Sequence, residues 1–265
     1  MMKKGRIAGA LLSVATAAGL FSVHGAYAQS SLKGSSQMRT LPLAVALSNR
    51  DRPASDRAMD ASRKPAALLA FAGIAPGMKV ADLMPGHGYF TRIFSNVVGK
   101  NGHVYAVVAA ERVAEKPDAA DPVKAIASDP AFSNVTVLTE PMTALSLSSP
   151  VDVVWTSQNY HDVYGRSADA ALAFDRSVFK ALRPGGVFIV IDHAAVAGSG
   201  ETPTRSLHRI DPALIRAQVE KAGFVLESES SILKNPSDSH ETVVFDPSIK
   251  GHTDQAVFKF RKPVQ

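Results

Sequence analysis

Two groups of side chains in this sequence could carry chemistry. The first is Asp82-Leu83-Met84-Pro85-Gly86-His87-Gly88, an acidic residue leading into a glycine-bearing turn. The apolar run Lys79 to Met84 reads as a buried strand and Tyr89 to Val98 as a helix, and a strand, turn and helix in that order lay backbone N–H groups against a ligand. Gly86 and Gly88 let the chain bend sharply and let a ligand approach the backbone, while Pro85 stiffens the bend. Asp82 falls near the carboxyl end of the strand, where crevice sites form. Ligand binding is therefore expected here, although Thr91 stands where a dinucleotide fingerprint would have its third glycine.

The second group is Asn159-Tyr160-His161-Asp162, which follows the strand-like run Val151 to Thr156 at its carboxyl end. An imidazole titrates near 6.5 when unperturbed, so His161 beside Asp162 is suited to general-base work around neutral pH. Asn159 and Tyr160 offer hydrogen bonds and a ring to position a ligand. His193 follows another apolar run together with Asp192, and the parallel arrangement inferred below brings it to the same rim. His208 and Arg209, and His87 inside the glycine turn, are further candidates for an acceptor pocket, whereas Asp211 before Pro212 reads as a helix N-cap. No protein-bound metal is expected: there is no His-x-x-x-His pair and no cysteine, and neighbours such as His161 and Asp162 project differently from a strand or turn. Serine chemistry lacks its G-x-S-x-G elbow.

What must position these residues is an alternation of strands and helices, the pattern of a mainly parallel sheet covered on both faces. Strands are expected at Lys79 to Met84, His103 to Ala109, Val135 to Leu138, Val151 to Thr156, Val187 to Ile191, Phe224 to Leu233 and Gln255 to Arg261. Helices are expected at Ala66 to Gly73, Tyr89 to Val98, Pro122 to Ser128, Asp169 to Leu182 and Pro212 to Gly223. Arg183-Pro184-Gly185-Gly186 reads as a helix stop and turn. The charge run Arg50, Asp51, Arg52, Asp56, Arg57 and Asp60 reads as a solvated helical face or cap.

Residues 1–28 read as a secretory signal peptide: Lys3, Lys4 and Arg6 precede an apolar run, and Ala26-Tyr27-Ala28 offers a cleavage site. Residues 29–40 read as a flexible leader, and 41–265 as a single domain that begins with a helical segment over 41–75. An exported, periplasmic location with no stable membrane anchor after cleavage is expected. With the cations of the leader gone, the formal charge of +5 falls almost to neutrality, and Lys and Arg form no stripe interleaved with aromatics, so nucleic acid is not an expected partner.

The segments VADLMPGHGYFTR, VDVVWTSQNYHDVY, LRPGGVFIVIDH and LHRID, in that order, resemble the class I S-adenosylmethionine-dependent methyltransferases, and within them a subgroup of exported bacterial methyltransferases. The likeness spans roughly residues 50–263. It implies a Rossmann-like three-layer α/β sandwich, with a seven-stranded, mostly parallel sheet whose last strand is antiparallel. It also implies S-adenosylmethionine as cofactor, lying across the ends of strands one, two and four, and a small-molecule acceptor. On this likeness Asp82, Pro85, Gly86 and Gly88 fall where relatives hold the methionine part of the donor, and Asn159 beside it. The acidic residue that closes strand two and takes the ribose hydroxyls in many relatives is replaced by valine, at Val108, and Glu111 is the nearest acid able to stand in through a bulged strand end. The leading expectation is a methyltransferase with His161, Tyr160 and Asp162 as catalytic candidates. The alternatives are a non-catalytic binding protein of the cell envelope that kept the fold and lost the donor, and a nicotinamide-dependent reductase, which the glycine turn alone supports.

Overall fold

The computed structural model describes residues 43–264, so the expected signal peptide and leader lie outside the described residues. Seven strands, β1 (Lys79–Leu83), β2 (His103–Ala109), β3 (Val135–Glu140), β4 (Val151–Ser157), β5 (Leu182–His193), β6 (Val225–Ser230) and β7 (Gln255–Arg261), form one sheet in the order β3-β2-β1-β4-β5-β7-β6. The pairs β1/β2, β1/β4, β2/β3 and β4/β5 are parallel, while β7 runs antiparallel to both β5 and β6. Strand order reverses beside β1, which splits the crossovers there and opens a crevice at the carboxyl ends of β1 and β4.

Period-two alternation sorts the strand side chains onto two faces. Val80, Val104, Ala106, Val153, Trp155, Val187, Ile189 and Ile191 pack with the helices Pro65–Ala72, Tyr89–Val98 and Asp121–Ala127. Ala81, Leu83, Tyr105, Val107, Val154, Phe188 and Val190 pack with the helices Tyr160–Arg166, Ala168–Ala181 and Pro212–Lys221. Trp155, packed at tilted and edge-on angles against Phe90 and Phe94 at centroid distances of 4.8 and 5.2 Å, anchors the first face. No described helix is long and apolar enough to cross a membrane.

The expected elements are present with end shifts that have local causes. β5 begins at Leu182, so the Arg183-Pro184-Gly185-Gly186 turn is an irregularity inside the ladder: the register with β4 slips between Val151 and Val153, and Gly185 takes φ +73°. β6 ends at Ser230 and does not continue to Leu233. The charge run up to residue 60 is only in part a solvated face: Arg50, Asp51 and Arg57 are exposed, while Arg52 and Asp56 are buried. Arg52 is fully buried and forks onto Asp60 at 2.9 and 2.6 Å, Asp60 also accepts from the Tyr89 hydroxyl at 2.7 Å, and buried Asp56 pairs with Arg92 at 3.0 Å. These charges fasten the N-terminal helical segment onto the helix Tyr89–Val98, burying an arginine whose two terminal nitrogens donate to the Asp60 carboxylate and the Leu47 carbonyl while its Nε is left without a partner.

Candidate active site

β1 ends at Leu83, and Met84, Gly86 and Gly88 take φ values of +53°, +57° and +79° in the turn that follows. For the two glycines this left-handed backbone costs nothing; for Met84 it costs on the order of 1 kcal/mol. Gln158 and His208 share the condition at +63° and +54°. Strained backbone of this kind persists only where the surroundings hold it, and here it gathers on one rim. The Asn159 side-chain amide ties the two loops, donating to the Met84 carbonyl at 3.2 Å and to the Ser157 carbonyl at 2.8 Å.

Between the loops lies a cavity of about 610 Å³ at the carboxyl ends of β1, β2 and β4. Its wall includes Met84, Pro85, Gly86 and His87 from the glycine turn and Asn159, Asp162 and His208 from the opposite rim. Val108, Ala109, Ala119 and Pro122 make an apolar side, a composition usual for small-molecule sites. The sequence-derived candidates Pro85, Gly86, His87, Asn159, Asp162 and His208 are thus brought together.

Other candidates are placed elsewhere. Asp82 points into the packing between β1 and the following helix, where it accepts a 2.6 Å bond from Thr91 Oγ1. Burial pushes its pKa up to about 7 against the opposing pull of Thr91 and the nearby Arg63 cation. A Cβ on Gly88 would meet Ile126, so this glycine serves packing of the helix Asp121–Ala127. Glu111 does not reach the cavity: no bulge extends β2, and a helix, Ala110–Glu115, starts at once. Residues spaced by three and four then share its crevice face, and Arg112, Glu115 and Lys116 line the cavity while Glu111 holds one carboxylate oxygen buried without a partner. Arg209 is fully buried in a fork with Asp238 at 2.8 and 3.1 Å and donates to the Thr242 and Ala194 carbonyls, so it fastens the 231–254 segment to the end of β5. Tyr160 is likewise buried under the helix Ala168–Ala181, its hydroxyl donating to Asp175 at 2.7 Å. Burial and then that carboxylate raise the phenol's pKa further.

His161 is almost fully buried behind the rim. Asp192 at the end of β5 accepts its backbone N–H at 2.6 Å, contacts Nδ1 at 2.8 Å and also takes the His193 N–H at 2.8 Å. Burial alone would lower the His161 pKa; the charge and hydrogen bond of Asp192 outweigh it and hold the ring above the ordinary imidazole range. On its other edge, His161 Nε2 lies 3.3 Å from His208 Nδ1 and 3.4 Å from Asp162 Oδ1. The His193 ring lies 6.0 Å from the His161 ring, centroid to centroid, but is not part of the cavity wall; its Nδ1 is 2.7 Å from Thr253 Oγ1, and burial, helped by nearby cations against the pull of Asp192, pushes its pKa down to about 4.

Sequence reasoning missed Arg63, Gln158 and Gln255. Arg63 lies over the Tyr89 ring at 4.7 Å and reaches Gln158 Oε1 at 3.3 Å; Gln158 Nε2 in turn donates to Gln255 Oε1 at 3.3 Å. Nothing in the local sequence marks these three, since their partners are distant along the chain: Gln158 is 95 residues from Arg63 and 97 from Gln255. Among the described residues Arg63 has no carboxylate within ion-pairing distance.

No protein-family model matches this sequence, and no curated protein does. Solved structures do share its fold. An S-adenosylmethionine-dependent methyltransferase from Aquifex aeolicus is 17% identical and superposes with a TM-score of 0.54, covering 75% of this chain and 89% of that one. The [4+2]-cyclase SpnF is 16% identical, with a TM-score of 0.54 over 86% of this chain and 95% of that one. A possible exported protein from Bordetella parapertussis is 14% identical, with a TM-score of 0.51 over 78% of this chain and 68% of that one. At these identities the likeness is one of fold, and chemistry has to be argued from the site.

Proposed function

We propose that this chain, which has the class I methyltransferase fold, binds S-adenosylmethionine in the 610 Å³ cavity and methylates a small-molecule acceptor held at the rim of Asn159, Asp162 and His208. The observation that carries the reading is the convergence of the Gly86 bend and the Asn159 rim on one crevice at the switch point of the sheet. The donor supplies an activated methyl group; the chain's own residues bind, orient and exclude water.

The lining fits such a donor in its main parts. Met84, Val108, Ala109 and Pro122 offer an apolar slot for a base, and Gly86 presents backbone without a side chain. Arg63, without a carboxylate partner and beside Asp82, is not part of the cavity wall but is the cation we propose for the carboxylate end, behind the glycine turn. The ribose end is the weaker fit, since Val108 lines the cavity where an acid would serve and Glu115, already 3.2 Å from Arg112, is the acid that reaches the wall. Methyl transfer asks mainly for alignment of the acceptor, with a proton acceptor close by when it bears a proton.

Isothermal titration of the purified chain with S-adenosylhomocysteine tests the reading. Heat of binding and a raised unfolding temperature are expected; neither appearing would sink it. The valine at the ribose position favours a second reading, a binding protein of the cell envelope that has kept the crevice for another ligand. Native mass spectrometry showing a different small molecule retained, with no uptake of S-adenosylhomocysteine, would select that reading. Export is proposed from the N-terminal pattern, and N-terminal sequencing of the secreted or periplasmic chain tests it by whether the chain starts after Ala28.

A further inference from the structure

The geometry points to a divalent transition-metal site built from His161 Nε2, His208 Nδ1 and Asp162 Oδ1 on the wall of the crevice. The three atoms form a nearly equilateral triangle with sides of 3.3, 3.4 and 3.5 Å. Those separations are longer than ordinary hydrogen bonds, which cluster at about 2.7–3.2 Å. They agree with the spacing of neighbouring ligands around a tetrahedral ion: nitrogen and oxygen ligands about 2.0–2.1 Å from zinc stand about 3.3–3.4 Å from one another.

The surroundings support the same assignment. His161 is nearly all buried, and Asp192, fully buried, engages its Nδ1 at 2.8 Å and its backbone N–H at 2.6 Å. That leaves Nε2 aimed at the other two ligand atoms, the carboxylate–imidazole arrangement that orients a ligating histidine and raises its basicity. His208 is held by a left-handed backbone at φ +54° and by the edge of the Phe245 ring at 4.7 Å, which places its Nδ1 on the shared point. Two imidazoles and one carboxylate form a set that suits zinc, iron, cobalt or manganese in preference to magnesium or calcium. No two of the three ligands stand at a metal-binding sequence spacing; the site exists because the loop before the helix Pro212–Lys221 folds over the start of the helix Tyr160–Arg166.

Asp162 and His208 both line the 610 Å³ cavity, so an ion held here borders it and can take an oxygen atom from a molecule bound there as its next ligand. The acceptor class this selects is a small molecule with a hydroxyl or carboxylate oxygen, whose acidity the ion would raise. That choice of acceptor rests on the methyltransferase reading; the metal site itself does not, and it is measured with no donor present.

The test uses the purified chain, freed of metal with a chelator and titrated with Zn²⁺ by calorimetry and with Co²⁺ by visible absorption. One ion per chain is expected, with Co²⁺ giving the absorption bands of a low-symmetry nitrogen and oxygen site. His208→Ala and Asp162→Ala, both partly exposed and so tolerable to the fold, should abolish that stoichiometric binding while leaving the far-ultraviolet circular dichroism unchanged, and Asp192→Asn should weaken it about tenfold to hundredfold. His252→Ala, an exposed histidine in another segment, should leave it unchanged. Failure of the chain to take up either ion, or unchanged binding in both His208→Ala and Asp162→Ala, would overturn the site. A parallel titration of the wild-type chain with S-adenosylhomocysteine separates the two claims: metal uptake without that binding removes the donor reading alone, and the reverse removes the metal site alone.

Discussion

The Asp192 carboxylate grips His161 at two points, accepting its backbone N–H through Oδ2 at 2.6 Å and facing its Nδ1 through Oδ1 at 2.8 Å. Asp192 is the last residue but one of β5 and His161 lies in the first turn of the helix after β4, so this one side chain joins two parallel strand ends at the crevice. Asp192→Asn turns one of its oxygens into a donor that faces existing donors. Because the residue is fully buried, the loss should be about 3 kcal/mol of stability, read as a lowered urea midpoint with an unchanged slope. A loss below about 0.5 kcal/mol would mean that the pair positions little.

Asp82 should make stability depend on pH in a defined window. Its folded pKa is about 7 and its ordinary value 3.8, so between those values the native state keeps a proton that the unfolded chain has released. The stabilisation is complete below the lower value and is lost as pH rises through the higher one, at up to about 1.4 kcal/mol per pH unit. Asp82→Asn mimics the neutral acid and can still accept from Thr91. Urea unfolding of both proteins across the window should show the wild type losing stability relative to the variant, and a difference that does not change with pH would contradict this.

Arg209 should behave as a structural residue. Its pair with Asp238 is buried on both sides, 0% and 1% exposed, and its remaining donors meet two carbonyls. Arg209→Met leaves Asp238 buried without its counter-charge, for a cost of about 3–5 kcal/mol. Differential scanning calorimetry should show a large drop in Tm, and Arg209→Met with Asp238→Leu should recover part of it. If Arg209→Met left Tm alone and abolished ligand binding instead, the acceptor role suggested by the sequence would stand.

Val108 offers a gain-of-binding test of the donor's placement. An aspartate there would supply a paired acceptor for the ribose hydroxyls, about 1.5–3 kcal/mol, or roughly tenfold to hundredfold tighter binding of S-adenosylhomocysteine by calorimetry. Weaker binding in Val108→Asp, with the fold intact, would move the ribose away from the end of β2.

Much of this architecture was legible from the order of residues. Tyr89 to Val98 and Gln255 to Arg261 match the observed helix and strand end for end, because Gly88 and Gly99 bound the first and an alternating apolar pattern stopped by Pro263 marks the second. The same local logic placed the Gly86 bend and the Asn159 rim at strand ends, and the parallel topology then forced them onto one edge. It failed where a side chain's partner is distant in sequence. Arg52 and Asp56 look like solvent-facing charges until the Tyr89 ring and Arg92 are brought against them, and Arg209 looks like a site residue until Asp238 covers it. Glu111 was expected to reach the crevice through a bulge, but a helix beginning at Ala110 turned it away by one residue's rotation. Composition, periodicity and turn chemistry therefore determined the sheet, its layers and the edge that carries the site. Whether a histidine on that edge meets a carboxylate, another histidine or only packing was decided by the tertiary structure, since burial and pairing depend on contacts such as His161 with Asp192 and His208, 31 and 47 residues apart.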